Sequence, residues 1–154
     1  MADVYLALGS NLGDRERYLR DALLRLTTFC DVIEVSCFHE TEPVGYKDQG
    51  KFLNAAVHLV TSLPPREFLN RILEIEHQMG RVRTVPNGPR TLDLDILFWD
   101  DQVIDEPGLR IPHPRLQERM FVLAPLAEIA PDLIHPVLGL SIRQLEERLR
   151  TPCA

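Results

Sequence analysis

The stretch Phe52-Leu53-Asn54-Ala55-Ala56-Val57-His58-Leu59-Val60 reads as a β-strand with two unlike faces. Leu53, Ala55, Val57 and Leu59 point one way, while Phe52, Asn54, Ala56 and His58 point the other. The first set is core. In the second, Asn54 lies mid-strand among apolar neighbours, and a buried amide needs partners for one acceptor and two donors. It can bond backbone edges, or it can read the amide edge of a flat heterocycle with Phe52 stacked on the ring.

The surroundings of this strand set the fold. Upstream, Val4 to Leu8 is short, apolar and β-rich, and Gly9-Ser10-Asn11-Leu12-Gly13-Asp14 ends it as a tight turn. Asp14 offers an N-cap for a helix over Arg15 to Thr27, where Tyr18, Leu19, Ala22, Leu23 and Leu26 recur at the spacing of one buried face. Val32 to Phe38 alternates as a second strand, and Thr41 to Gly50 is loop. Downstream, a helix covers Pro65 to Met79, with Phe68, Leu69, Ile72, Ile75, Glu76 and Met79 near one face and Gly80 as C-cap. Arg81 to Arg90 is a Gly/Pro loop, and Thr91 to Trp99 is the fourth strand. The order strand, helix, strand, strand, helix, strand predicts an α+β, ferredoxin-like βαββαβ core, with helices on one face of an antiparallel sheet. A C-terminal extension follows: the turn-rich Pro107 to Pro114, a short helix over Val122 to Ile129 and an amphipathic helix over Ile142 to Leu149. No repeat or linker divides the chain, so residues 1–154 are expected to form a single domain.

Composition narrows the function classes. The 154 residues carry a net charge of -6, which argues against coating nucleic acid or an anionic membrane. No apolar run approaches the roughly 20 residues of a membrane span, and no basic, apolar leader precedes the first strand. Cys30, Cys37 and Cys153 show no ligand spacing, so Cys30 and Cys37 are expected to be buried free thiols in a reducing, cytoplasmic setting.

The chemistry concentrates in Gly88-Pro89-Arg90-Thr91-Leu92-Asp93-Leu94-Asp95-Ile96-Leu97. On a strand, Asp93 and Asp95 share a face roughly 6–7 Å apart, a face that continues into Leu97 and Trp99. Leu92, Leu94, Ile96 and Phe98 take the other side as core. Such a pair can be the solvated face of a half-buried strand. Aspartate is a poor strand former, however, and a hard cation relieves the repulsion of two carboxylates, so the pair points to magnesium shared with substrate phosphates. Arg81, Arg83 and Arg90 precede it with no acidic residue between Gly80 and Leu92, a concentration of charge suited to polyphosphate. Arg110, His113, Arg115 and Arg119 follow it. They are surface arginines, or they bind phosphate together with His113, whose backbone is fixed between Pro112 and Pro114. No P-loop or dinucleotide fingerprint is present.

Six blocks, in order, resemble the hydroxymethyl-dihydropterin pyrophosphokinases of folate biosynthesis. They are Ala7-Leu8-Gly9-Ser10-Asn11-Leu12-Gly13, Thr41-Glu42-Pro43-Val44-Gly45, Phe52-Leu53-Asn54-Ala55-Ala56, Gly80-Arg81-Val82-Arg83, Gly88 to Asp95, and Ile111-Pro112-His113-Pro114-Arg115. The resemblance covers nearly the whole chain. It implies transfer of pyrophosphate from ATP to 6-hydroxymethyl-7,8-dihydropterin, giving AMP and the pterin diphosphate. It also implies two Mg²⁺ ions on Asp93 and Asp95, with Arg81 and Arg90 stabilising charge on the transferred group. Glu76, Arg83, Ile96, Arg110, His113 and Arg119 would hold ATP. Thr41, Pro43, Val44, Phe52, Asn54 and Phe121 would form the pterin pocket, the two phenylalanines sandwiching the ring. A monomer acting on small molecules, with neither nucleic acid nor membrane as partner, is expected. Asn87 stands where some members carry tryptophan, and the loop is slightly shorter than theirs. A nucleotide-binding regulatory module and a two-metal nuclease are the competing readings. Pterin-dependent ATP consumption separates the first from the kinase, and a nucleic-acid cleavage assay the second.

Overall fold

A computed structural model of the chain describes residues 1–41, 51–79 and 92–150. Its elements are β1 (Ala2–Ser10), α1 (Arg15–Leu26), β2 (Asp31–Val35), β3 (His39–Thr41), β4 (Phe52–Thr61), α2 (Pro65–Gln78), β5 (Asp93–Trp99), β6 (Ile104–Glu106), β7 (Leu109–Ile111), a 3-10 turn at Leu116–Glu118, α3 (Met120–Ile129) and α4 (Ile142–Arg150). The main sheet runs β2-β4-β1-β5, with β3 paired to β4 beyond the end of β2 and every pairing antiparallel. This is the expected ferredoxin-like α+β arrangement.

Local chemistry starts the helices where the sequence places them. Asp14 Oδ1 accepts the Arg17 N–H at 3.2 Å and caps α1, while Pro65 opens α2 at a position where a missing N–H costs nothing. The alternation in β1 and β4 separates two cores. Val4, Leu6, Leu8, Ala55, Val57 and Leu59 meet Leu19 and Leu26 of α1 and Phe68 and Ile72 of α2. On the opposite face Ala56, Leu97 and Phe98 meet Leu123 and Leu126 of α3 and Ile142 and Leu145 of α4.

Five expectations of the fold need correction. Helices cover both faces of the sheet, because the C-terminal extension folds back as α3 and α4 instead of trailing from one edge. Val32 to Phe38 is not one strand: β2 ends at Val35 and β3 begins at His39, so β4 pairs with two short partners in succession. The segment read as turns holds the β6–β7 hairpin. The fourth divides β5. Its pairing with β1 shifts between Tyr5↔Phe98 and Leu6↔Ile96, which leaves Leu97 as an extra residue. Leu97 stays on the Asp93/Asp95 side, but Phe98 joins it there and Trp99 turns into the first core, reversing the predicted positions of Phe98 and Trp99. Cys30 is half-buried and free, whereas Cys37 is exposed and not buried.

Candidate active site

The face of the sheet beneath α3 has a floor of small residues. Register places Gly9 of β1 between Asn54 of β4 and Asp93 of β5, and Ala7 between Ala56 and Asp95. Tyr5, His58 and Phe98 make the next row, with the Tyr5 and His58 rings stacked at 4.6 Å. Bulk returns there, so the hollow closes. The β1 strand runs through Ser10, so Gly9 is a strand residue and not part of a turn. Its bare Cα matters all the same: a Cβ there would stand 3.0 Å from Asn54 Oδ1, so the carboxamide would have to give way.

Asn54 is buried, and its Nδ2 donates to Thr41 Oγ1 at 2.6 Å. That bond joins β3 to β4 on the site face and fixes the carboxamide. Thr41 and Phe121 line a cavity of about 480 Å³ together with His39, Arg115, Arg119 and Pro125. The Arg119 guanidinium lies 5.7 Å from the centre of the Phe121 ring.

A second cavity, of about 440 Å³, follows the outer edge of β5 and is lined by Glu76, Asp95, Ile96, Arg110, His113 and Leu73 among others. Glu76 is buried on α2, and its Oε2 accepts the Leu94 N–H at 2.7 Å, tying the helix to the strand between the two aspartates. Further along the same edge the His113 N–H donates to the Leu97 carbonyl at 3.0 Å. Burial, helped by Arg119 and Arg115 against the opposing pull of Asp93, pushes the His113 imidazole down to about 4. The ring is therefore neutral near pH 7. Its Nδ1 accepts the Arg115 N–H at 3.2 Å, which leaves the proton on Nε2 as a donor.

The residues expected around ATP thus divide between the cavities. Glu76, Ile96, Arg110 and His113 line the second with Asp95, whereas Arg119 lines the first with Thr41 and Phe121. Phe52 pairs with Thr41 at the strand end, half-buried. Pro43, Val44, Arg81, Arg83 and Arg90 lie outside the described residues. Sequence reading missed His39 and Ala7, since neither belongs to a local pattern of polar residues. Ala7 does stand two positions before Gly9, the step that keeps both on one strand face.

Among the described residues, no group of three or more His, Cys, Asp or Glu side chains gathers to cage a metal. A two-carboxylate, all-oxygen set next to a cavity with cationic side chains fits magnesium, which keeps much of its shell for water and phosphate oxygens. Among the same residues, no helix is long and apolar enough to cross a membrane.

Fold and site together define a ferredoxin-like α+β protein with an acidic pair set between two cavities. The wild-type Plasmodium falciparum HPPK-DHPS crystal structure aligns over 96% of this chain with a TM-score of 0.77 at 18% identity, a likeness of fold. The chain spans 44% of that protein. Residues 5–131 match the 7,8-dihydro-6-hydroxymethylpterin-pyrophosphokinase (HPPK) family, and the chain belongs to that family. A 2-amino-4-hydroxy-6-hydroxymethyldihydropteridine pyrophosphokinase of Bacillus subtilis is 55% identical over 127 residues, covering 81% of this chain and 76% of its own length. Another, of Aquifex aeolicus, is 40% identical over 146 residues, 95% of this chain and 91% of its own. The folic acid synthesis protein fol1 of Pneumocystis carinii is 44% identical over 147 residues, 95% of this chain, although the chain spans 20% of that longer protein.

Proposed function

We propose that the chain transfers a pyrophosphoryl group from ATP to 6-hydroxymethyl-7,8-dihydropterin. The observation that carries this reading is the floor of Gly9 and Ala7 between Asn54 and the Asp93/Asp95 pair, with one cavity on either side. The pterin ring takes the first cavity, against Phe121, with Asn54 and Thr41 presenting an amide and a hydroxyl to its polar edge. Pro43, Val44 and Phe52 complete that pocket in this reading. ATP takes the second cavity, where Ile96 and Glu76 flank the nucleotide and Arg110 and neutral His113 donate to its oxygens. Arg119, near both His113 and Phe121, holds phosphate where the two cavities meet.

The pterin hydroxymethyl oxygen bonds to the β-phosphorus as the bond from that phosphorus to the oxygen bridging to the α-phosphate breaks. AMP leaves, and the hydroxyl proton is released. Asp93 and Asp95 would hold two magnesium ions, which when bound neutralise phosphate charge and acidify the attacking hydroxyl. Arg81 and Arg90 offset charge on the transferred group, and Arg83 binds the nucleotide. The sheet and α3 position the two aspartates and the ring-binding groups on one rigid face, so the reactants lose little further freedom on reaching attack geometry. In this reading the chain acts as a monomer on two small molecules. The free thiols Cys30 and Cys37 suit a reducing cytoplasm.

Incubation with ATP, magnesium and the pterin, followed by separation of nucleotides, tests the reaction. Pterin-dependent AMP without ADP is the expected result. ADP would mean single-phosphoryl transfer, and bound but unconsumed ATP would mean a nucleotide-binding module. Gly9→Ala probes the floor. Its methyl group displaces the Asn54 carboxamide, and KM for the pterin should rise about tenfold while KM for ATP holds. An unchanged pterin KM would remove Asn54 from the ring-binding site.

A further inference from the structure

His39 lines the first cavity from the strand farthest from the aspartates, Glu128 bonds it from α3, and no motif in the sequence marks either. His39 pairs in register with Asn54, which pairs with Gly9, which pairs with Asp93. One row therefore crosses four strands from the imidazole to the carboxylate, three strand spacings or roughly 14 Å. His39 lines the cavity alongside Thr41, two residues along the same strand face.

Glu128, near the C-terminal end of α3, holds this wall in place. Its Oε1 bonds His39 Nε2, and its Oε2 accepts the Cys37 N–H at 3.2 Å. Burial raises the Glu128 carboxyl, but the bonds from His39 and Cys37 outweigh it and leave the group below the usual range. An ionised carboxylate can only accept, so His39 Nε2 carries the proton between them. One side chain of α3 thus holds the His39 ring of β3 and the Cys37 N–H in the link that leads into β3, while Phe121, seven positions earlier on α3, lines the same cavity.

We infer that the Glu128–His39 pair is a positioning clasp for the pterin, fixing the distance between β3 and α3 and thereby the seat of the ring whose hydroxymethyl arm must reach Asp93 and Asp95. This rests on the assignment of the first cavity to the pterin. Thr41 and Asn54 are the direct contacts. The clasp acts through them, because β3 carries both Thr41 and His39 and the Asn54 carboxamide is anchored on Thr41. The second cavity has no residue in common with the clasp, and Arg119 sits at the opposite end of α3 from Glu128, so the effect is expected on the pterin and not on ATP.

Steady-state kinetics of Glu128→Ala, His39→Ala and His39→Gln test the clasp, with thermal melting measured beside them. Losing a hydrogen bond to a charged group should raise KM for the pterin about tenfold in both alanine variants, with kcat within about threefold of wild type and KM for ATP unchanged. His39→Gln, whose amide N–H can still donate to Glu128, should recover most of the lost affinity even if the alanine variants melt lower. Parallel rises in both KM values, or no recovery in a folded His39→Gln protein, would reduce the pair to a structural contact. An unchanged pterin KM in all three would overturn the clasp while leaving the pterin reading intact. Absence of pterin turnover in the wild-type protein would overturn both.

Discussion

Asp95→Ala is expected to lower turnover by on the order of a thousandfold or more while leaving the fold intact. Asp95 stands opposite Ala7 on the site floor and belongs to neither core, so its removal takes no apolar packing away. It also separates Asp93 from a like charge two residues along the same face, and relief of that repulsion offsets whatever local bonds are lost. Stability should stay within about 1 kcal/mol of wild type, the ordinary range for a substitution outside the core. No third carboxylate among the described residues joins the pair, so on the proposed metal-holding role the loss falls on kcat instead of on KM alone. Single-turnover measurements paired with urea denaturation check both halves. A folded Asp95→Ala protein that still turns over at near wild-type rate would remove the carboxylate pair from the chemistry.

Phe68→Ala should produce the largest loss of stability, about 3–5 kcal/mol. The Phe68 side chain is fully buried between α2 and the sheet, edge-on to Phe29 at 5.6 Å and to Trp99 at 5.4 Å. Truncation removes both aromatic contacts and opens a space in the first core. With a urea dependence typical of a small domain, the midpoint should drop by roughly 2 M. Any activity remaining under native conditions should be close to normal, because neither Phe68 nor its two aromatic partners lines either cavity. A loss below about 1 kcal/mol would show that the first core can close around the gap.

Much of this was legible in the sequence because strand alternation is a local code. The split of Phe52 to Val60 into an apolar set and a set containing Asn54 is the split observed between the two faces of β4, and the Asp93/Asp95 pair lies on the same side as Asn54. The Asp14 cap and the α1 stripe were equally local. What escaped depended on distant partners. The extra residue at Leu97 is defined only by what β1 does opposite it, and no residue type announces it. The three-residue strands β6 and β7 are too short to alternate visibly, and their Pro107-Gly108 turn dominates the reading. Helices on the second face follow from where α3 and α4 return, a tertiary matter. Glu128 and His39 are 89 residues apart, so no spacing rule joins them.

The bulge at Leu97 also makes β5 a strand with two independent phases. Ahead of it, the period of two is locked to the acidic pair, and a one-residue insertion or deletion there would turn the carboxylates into the aliphatic layer and Leu94 onto the substrate floor. Behind it, the phase is set by the Trp99 indole in the opposite layer. Length changes in the turn after Trp99 leave both phases in place, whereas a residue gained or lost between Asp93 and Trp99 shifts the acidic pair against the indole.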